Sequence, residues 1–269
     1  MNWNDTIALR KISCTSDGLD VPQRMAVVNT ISNRVIGIVS PRYKVIHNTD
    51  LLKVITPTLE DLKVDGSNPQ IRTTKGGAVT FFKFLGDKVT GEIQKGDVVR
   101  FGIEFFNSYD GSMPVGFHII AERLVCTNGL VVPKSITEIH IRHIGDVNIG
   151  TIKNRVKEYF PKTIAAINLW KKWSETRPQE YQLDSFLRKV TGERLRLDFM
   201  NRYKNLPKDK QNLWEFYNLI TYHISHQIKT RKEDTKALKQ FTLTERFTNK
   251  LTTVFSGKET EHETANLLS

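Results

Sequence analysis

The sequence predicts an α+β protein, in which a β-rich part with a curved antiparallel sheet packs against a helical, basic part. Residues 1–150 contain short runs of alternating apolar and polar residues separated by Gly and Asn, whereas from residue 151 apolar residues recur every three or four positions. Residues 151–250 hold 22 Lys and Arg against 11 Asp and Glu, while residues 1–150 hold 17 against 15. We therefore predict a β-rich core domain with one or more helices at 1–150, a helical basic region at 151–255 and a disordered acidic tail at 256–269.

Six strands are predicted in the first part, because each segment combines β-formers with bounding turn residues. They span residues 24–29, 35–40, 78–85, 98–106, 115–124 and 136–144. The strands at 98–106 and 115–124 flank a turn that contains Asp, Gly and Pro, which predicts a β-hairpin. In the first of them Phe101 and Ile103 alternate with Arg100 and Glu104, so one face is expected to build a core while the other meets water or a ligand.

A helix is predicted after His47, with Asn48 or Thr49 as its N-terminal cap and with Pro57 ending or kinking it. The polar, turn-rich segment 65–77 then predicts a mobile loop that carries Arg72 and Lys75. Such a loop can act as a phosphate clamp or serve as an exposed connection, and both readings stay open.

Four helical segments are predicted in the second part. They span residues 152–170 with a kink at Pro161, 184–203 with a break at Gly192, 208–229, and 241–255. The acidic, polar residues 256–269 lack the apolar positions needed to join a core, so they are expected to be disordered.

Several classes of protein are disfavoured by composition and motifs. Cys14 and Cys126 have no CxxC spacing, which predicts neither a disulfide framework nor a zinc knuckle and fits a reducing cytoplasm. Neither a signal peptide nor a membrane-spanning apolar run is visible. Because GxxxxGK[ST] and GxGxxG motifs are missing, we expect no nucleotide cofactor and no ATP-driven activity.

Nucleic acid is the leading partner class, because concentrated positive charge attracts polyanions by counterion release. Aromatic residues interleave with the basic ones, and Phe81 or Trp173 is expected to stack on the bases of a single strand. The candidate binding residues are Arg72, Lys75, Lys83, Lys153, Arg155, Lys157, Lys162, Lys171, Lys172 and Trp173. The alternative is a solvated helical surface that is rich in Lys, together with aromatic residues that belong to the core.

A possible acid–base or divalent-metal cluster lies on the two arms of the hairpin. Arg100, Glu104, His118 and Glu122 alternate there and would meet if the register allows. Cross-strand salt bridging on a sheet surface explains the same pattern. On the predicted third helix of the basic region, His223 and the histidine three residues later share a face, but the neighbouring sequence supplies no third ligand.

Several motifs resemble a phage- and plasmid-like family whose central domain has no known function. These are YKVIHNTDLL, SYDGS and RLVCTNGL between Tyr43 and Leu130, and NLWEFYNLITYHISH from Asn212 to His226. The resemblance implies a bacteriophage or mobile element as the source and the host cytoplasm as the place of action, and it transfers no catalytic residues. In combining a curved sheet, helices, strong basicity and a short acidic tail, the chain is also similar to phage single-strand annealing proteins.

We therefore expect a phage-type single-stranded DNA-binding protein of replication or recombination, which anneals strands without ATP as a homo-oligomer. Its acidic tail would compete for the DNA groove or recruit a host or phage protein. Two other classes stay open. One is a phage inhibitor of a host protein. The other is a metal-dependent nuclease that uses Glu104, His118 and Glu122.

Overall fold

The protein is α+β in a computed structural model, which describes residues 7–13, 16, 18–125, 128–132, 140–145, 148–230 and 235–255. The strands are β1 (Ile7–Ser13), β2 (Asp20–Asn29), β3 (Arg34–Val39), β4 (Gln70–Thr74), β5 (Val79–Gln94), β6 (Asp97–Ser108), β7 (Val115–Arg123), β8 (Asn128–Val131) and β9 (His140–Ile141). The helices are α1 (Asn48–Asp61), α2 (Ile149–Tyr159), α3 (Thr163–Glu175), α4 (Glu180–Val190), α5 (Glu193–Lys204), α6 (Leu213–Tyr222) and α7 (Lys236–Phe255). None of these helices is long and apolar enough to cross a membrane.

The strands form two antiparallel sheets. β1, β2 and β3 make a small sheet, and the larger one runs in the order β4-β5-β6-β7-β8, with β9 paired to the start of β7. The predicted hairpin is confirmed, because β6 and β7 pair along their length from Val99 opposite Arg123 to Phe106 opposite Gly116.

The main core lies between one face of the larger sheet and the helices. Phe101 of β6 stacks on Trp170 of α3 at 5.8 Å between ring centroids, and Trp170 in turn meets Trp214 of α6 at 5.5 Å. Gly91 of β5 lets α3 approach closely, because a Cβ there would lie 2.5 Å from Ile167 Cδ1. Sheet and helical residues thus share one buried apolar cluster.

The turn between β6 and β7 joins the two sheets to α1. Asn107 Nδ2 donates to the Ile46 carbonyl at 2.7 Å, and Tyr43 Oη donates to the Ser108 carbonyl at 2.7 Å. Tyr109 Oη accepts from the Asn48 amide at 3.1 Å, and the Tyr109 ring packs in the core of the small sheet. The SYDGS motif, which spans residues 108–112, therefore connects the two sheets and α1.

Two predictions for the first part are wrong. The segment around Arg72 is not a loop, because β4 pairs with β5 from Gln70 opposite Lys83 onward. The prediction that Pro57 ends α1 is wrong as well, because the helix continues through this exposed residue to Asp61. Water can hydrate the carbonyl that the proline ring leaves without a partner.

The prediction that Asn48 or Thr49 caps the N-terminus of α1 is also wrong. His47 is the N-cap of α1 and makes no side-chain cap hydrogen bond. The Asn48 side chain is buried and exchanges hydrogen bonds with Thr80 and Asn107 instead. The polar group that predicted a cap therefore serves a tertiary contact.

The predicted breaks at Pro161 and Gly192 are confirmed, since they separate α2 from α3 and α4 from α5. The helix predicted at 208–229 is shorter, because α6 ends at Tyr222 in a π-helical turn, His223–Gln227. Of the strand predicted at 136–144 the structure describes residues 140–144, in which β9 pairs with β7 and Ile144 forms a single bridge with Tyr43. The predicted tail at 256–269 lies outside the described residues. The division at residue 150 stays a prediction.

Candidate functional site

Charged side chains line the face of the larger sheet that points away from the main core. Glu104 of β6 lies between Lys83 of β5 and His118 of β7, and Arg100 lies opposite Glu122. The register therefore brings together the four hairpin residues that sequence alternation selected. The structure adds two cations to them, Arg72 of β4 and Lys83.

The carboxylates of this face are held by cations. Arg72 Nη2 donates to Glu104 Oε1, and Lys83 Nζ donates to Glu122 Oε1 at 3.1 Å. Arg100 donates to the other Glu122 oxygen at 2.7 Å and to Asp87 at 2.6 Å. Burial raises the pKa of Glu122, but the hydrogen bonds and charges of Arg100 and Lys83 outweigh it and hold that pKa below its usual value. Glu122 is thus an ionised member of a salt-bridge network.

Helix α7 covers one end of the charged face. Glu245 Oε1 lies 3.3 Å from His118 Nε2, and the His118 ring lies between Phe106 at 5.2 Å and Phe241 at 4.7 Å. Sequence analysis missed Glu245 because it belongs to the last helix, and no local pattern connects it to the hairpin.

A half-open cavity of about 200 Å³ separates the charged face from the helices. Gln70, Arg72, Lys83 and Glu104 line it on the strand side, and Ile120 and Val131 supply apolar surface. The helical side consists of Ser225 and His226 from the π-helical turn and of Gln240, Phe241 and Thr244 from α7. This cavity combines donors, acceptors and apolar surface in one small volume.

Two residues predicted to stack on bases lie in the core. Phe81 is fully buried against Phe241, and Trp173 is 2% exposed and packs on Tyr217. A base cannot reach either ring without displacing core side chains, so we remove both from the candidate interface. Lys75 pairs with Asp110 at 3.2 Å, which places it at the turn between β6 and β7.

The remaining candidates form what we term the basic helical surface: Lys153, Arg155, Lys157, Lys162, Lys171 and Lys172 on α2, α3 and the 3₁₀ turn between them. Lys157 pairs with Asp61 at 2.8 Å, and Arg155 pairs with Glu158 at 3.0 Å. Lys171 and Lys172 are exposed, and within the part of the chain that the structure describes neither side chain has a carboxylate partner.

The described residues contain no group of three or more His, Cys, Asp or Glu side chains arranged to hold a metal ion. His223 Nδ1 lies 3.0 Å from Gln227 Oε1, and His226 packs against Tyr222 with ring centroids 4.6 Å apart. His143 is buried against Tyr43, which raises the cost of charging it and lowers its pKa.

A second buried ion cluster joins the sheet to α6. Arg123 of β7 binds Asp97 through two hydrogen bonds of 2.7 Å and Glu215 through bonds of 2.9 and 3.2 Å. Trp214 Nε1 donates to the same Asp97 at 2.8 Å. The RLVCTNGL and NLWEFYN motifs thus meet in space, and this contact explains their charged residues structurally.

Together these features define an α+β protein with a charged sheet face under a helix and a separate basic helical surface. A family model described as a domain of unknown function, DUF932, matches residues 35–244. The chain therefore belongs to this family. Comparison with curated proteins and with solved structures finds no match.

Proposed function

We propose that this protein binds single-stranded DNA without ATP, in the replication or recombination of a phage or plasmid. The observation that most directly supports this proposal is the basic helical surface. Its residues Lys171 and Lys172 are exposed and lack carboxylate partners among the described residues. Exposed lysines without an acidic partner can neutralise phosphates of a nucleic-acid backbone and release its counterions.

Charge counting on the basic helical surface supports a polyanion as the ligand. The six cations have two acidic partners, Asp61 and Glu158. The excess cations can replace counterions along a phosphate backbone. For a single strand each such contact makes the slope of log K against log salt concentration, the salt slope, steeper by about 0.7.

Two aromatic rings with solvent-accessible surface, on α2 and at the start of α4, favour a single strand over a duplex as the ligand. Tyr159 of α2 is half-buried, with Lys162 Nζ 3.8 Å from its ring centroid. Tyr181 at the start of α4 is 72% exposed. Single-strand binders combine cations with ring faces of this kind, because unpaired bases stack on them regardless of sequence.

The test is fluorescence anisotropy with labelled single-stranded and duplex DNA over a salt series, with EDTA and without nucleotide. We expect tighter binding to the single strand. Lys171→Ala with Lys172→Ala should make the salt slope shallower by about 1.4. Lys88→Ala with Lys95→Ala removes the same charge from two exposed positions, one in the irregular part of β5 and one in the turn between β5 and β6, and is the matched control.

Negligible binding at low salt would refute the proposal. An equal effect of the two lysine pairs would show that attraction is diffuse and that the basic helical surface is not the site.

A protein-binding role, such as inhibition of a host protein, is the second candidate. The small sheet exposes apolar side chains, with Ile31 at 72%, Ile38 at 60% and Val35 at 54%. Apolar exposure of this kind is typical of protein interfaces. Weak DNA binding that is insensitive to the Lys171 and Lys172 substitutions would favour this role. A nuclease is supported less, because cations neutralise Glu104 and Glu122 and His118 faces Glu245.

A further inference from the structure

The cavity beside the charged face offers hydrogen-bond donors from two strands. Arg72 lines the cavity and uses Nη2 for Glu104, and its guanidinium group carries further N–H groups that can donate to an occupant. Lys83 Nζ uses one of its three hydrogens for Glu122. Because hydrogen bonds from charged donors are stronger than neutral ones, a ligand that accepts from these groups gains affinity.

The same cavity also offers acceptors. Glu104 is 4% exposed and binds Arg72 through Oε1, which leaves Oε2 to accept a further hydrogen bond. Nε2 of Gln240 on α7 donates to the carbonyls of Ile224 and Ser225, and the side-chain carbonyl oxygen of Gln240 can accept a further hydrogen bond.

These groups restrict the chemistry of an occupant. A simple anion would be repelled by Glu104, and a simple cation by Arg72 and Lys83. An apolar molecule would leave the remaining donors and acceptors of these side chains without partners. A ligand that carries both donors and acceptors at one edge satisfies them, and its flat face can rest on the apolar surface of Ile120 and Val131.

The volume of the cavity further restricts which ligands it can hold. The cavity volume of about 200 Å³ lies below the roughly 300–1,000 Å³ of sites for drug-sized ligands. A whole nucleotide with its sugar and phosphate therefore exceeds the space, whereas one heterocyclic base fits the lining and the half-open entrance.

We propose that this cavity receives one unstacked nucleobase of the bound strand and reads its hydrogen-bonding edge through Arg72, Glu104 and Gln240. This inference rests on the proposed function and adds to it a base-selective pocket, apart from the phosphate contacts of the basic helical surface. Single-strand recognition proteins read splayed-out bases by such edge contacts combined with apolar packing.

The experiment titrates the full-length protein with the four deoxynucleosides, followed by isothermal calorimetry. Deoxyribose 5-phosphate serves as a probe for phosphate recognition, and leucine serves as a probe for a zwitterionic ligand. We expect one or two nucleosides to bind and the other probes to give no heat. Glu104→Gln should weaken nucleoside binding about tenfold, because it removes a charged acceptor. Glu175→Gln, at an exposed position of α3, is the matched control.

Gly129→Val is a second variant that leaves every charge in place. A Cβ at Gly129 meets nothing closer than Ser225 Oγ at 3.7 Å, and a larger side chain there would occupy the cavity. We expect this variant to abolish nucleoside binding while it keeps the cooperative thermal unfolding of the unmodified protein.

The two proposals fail separately. If no nucleoside binds, if deoxyribose 5-phosphate or leucine binds instead, or if Gly129→Val binds nucleosides as before, the base pocket is refuted. Salt-dependent binding of single strands that responds to Lys171→Ala with Lys172→Ala would still support the proposed function in those cases. Negligible binding of single strands to the unmodified protein at low salt would refute the proposed function itself.

Discussion

At the scale of single residues, Gly102 shows how the larger sheet bends. It lies in β6 opposite Leu85 and Ile120, beside the irregular register of β5 between Leu85 and Thr90. A Cβ at this position would stand 2.1 Å from the Phe84 carbonyl oxygen. Close approach of two backbones at a bulge requires a residue without a side chain.

Gly102→Ala should therefore lower the free energy of unfolding by about 2 kcal/mol, the usual range for inserting a methyl group into a packed site. Gly-to-Ala substitutions at unstrained sites raise the free energy of unfolding by about 0.4–1 kcal/mol. The sign of the change at Gly102 therefore shows whether the site is crowded. Gly192→Ala is the control, since a Cβ there meets nothing within 4 Å. Urea unfolding of both variants measures the difference, and equal stability would contradict the close contact.

Residue identity alone also misled the stacking prediction. Phe81 and Trp173 lie close to lysines in the sequence, as in single-strand binders, yet both rings are buried. Phe81 shares a strand face with Lys83, but Phe241 of α7 covers its ring. Trp173 directly follows Lys172 on α3, where consecutive residues point in different directions, and its ring packs on Tyr217.

At the scale of elements, α7 is held to the charged face of the sheet by one aromatic contact region. Phe241 meets Phe81 and Phe106 at 5.2 Å each, and Glu245 one turn later meets His118. Side chains of three strands thereby fix the helix over the cavity, and Phe247 and Leu251 of the same helix pack in the main core.

Phe241→Ala should cost about 3–5 kcal/mol of stability, because it leaves a cavity between α7 and the sheet. Thr242→Ala, at the exposed neighbouring position, should change stability by less than about 0.5 kcal/mol. Hydrogen exchange would locate the effect in α7 and β5. Unchanged protection of α7 in the Phe241 variant would show that the helix is attached by other contacts.

Helix breaks were predictable, and the strand β4 was not. Pro161 and Gly192 interrupt a 3.6-residue pattern by backbone chemistry that acts locally. β4 contains the β-formers Ile71, Thr73 and Thr74, but turn residues flank it on both sides, and it becomes a strand because it pairs with β5. Flanking turn residues are a weak guide where a neighbouring strand supplies the pairing.

At the scale of the whole molecule, Arg123 ties the sheet to the helical part. Its guanidinium bridges Asp97 of β6 and Glu215 of α6, and Trp214 of α6 packs into the shared apolar cluster. Burial acts against the charge of Arg123, but its hydrogen bonds to both carboxylates raise its pKa above the usual value. Removing the cation would leave two buried acids facing each other.

Arg123→Met should therefore destabilise the protein by about 3–5 kcal/mol, the usual cost of breaking a buried ion pair from one side. Arg123→Lys keeps the charge but loses the paired geometry, so its loss should be smaller. Unfolding is followed by far-UV circular dichroism and by tryptophan fluorescence. If the strands and helices unfold in separate transitions, the shared core does not couple them.

The sequence by itself determined the class of fold, the β6–β7 hairpin and the concentration of charge in the helical part. Alternation, helical periodicity and charge counts are local properties, and they survive without knowledge of the partners. Only the tertiary structure decided which cations are free and which rings are accessible. Arg72 and Lys83 turned out to face Glu104 and Glu122, while Lys171 and Lys172 stay exposed. Pairing and burial depend on distant segments meeting in space, and no window of sequence contains that information.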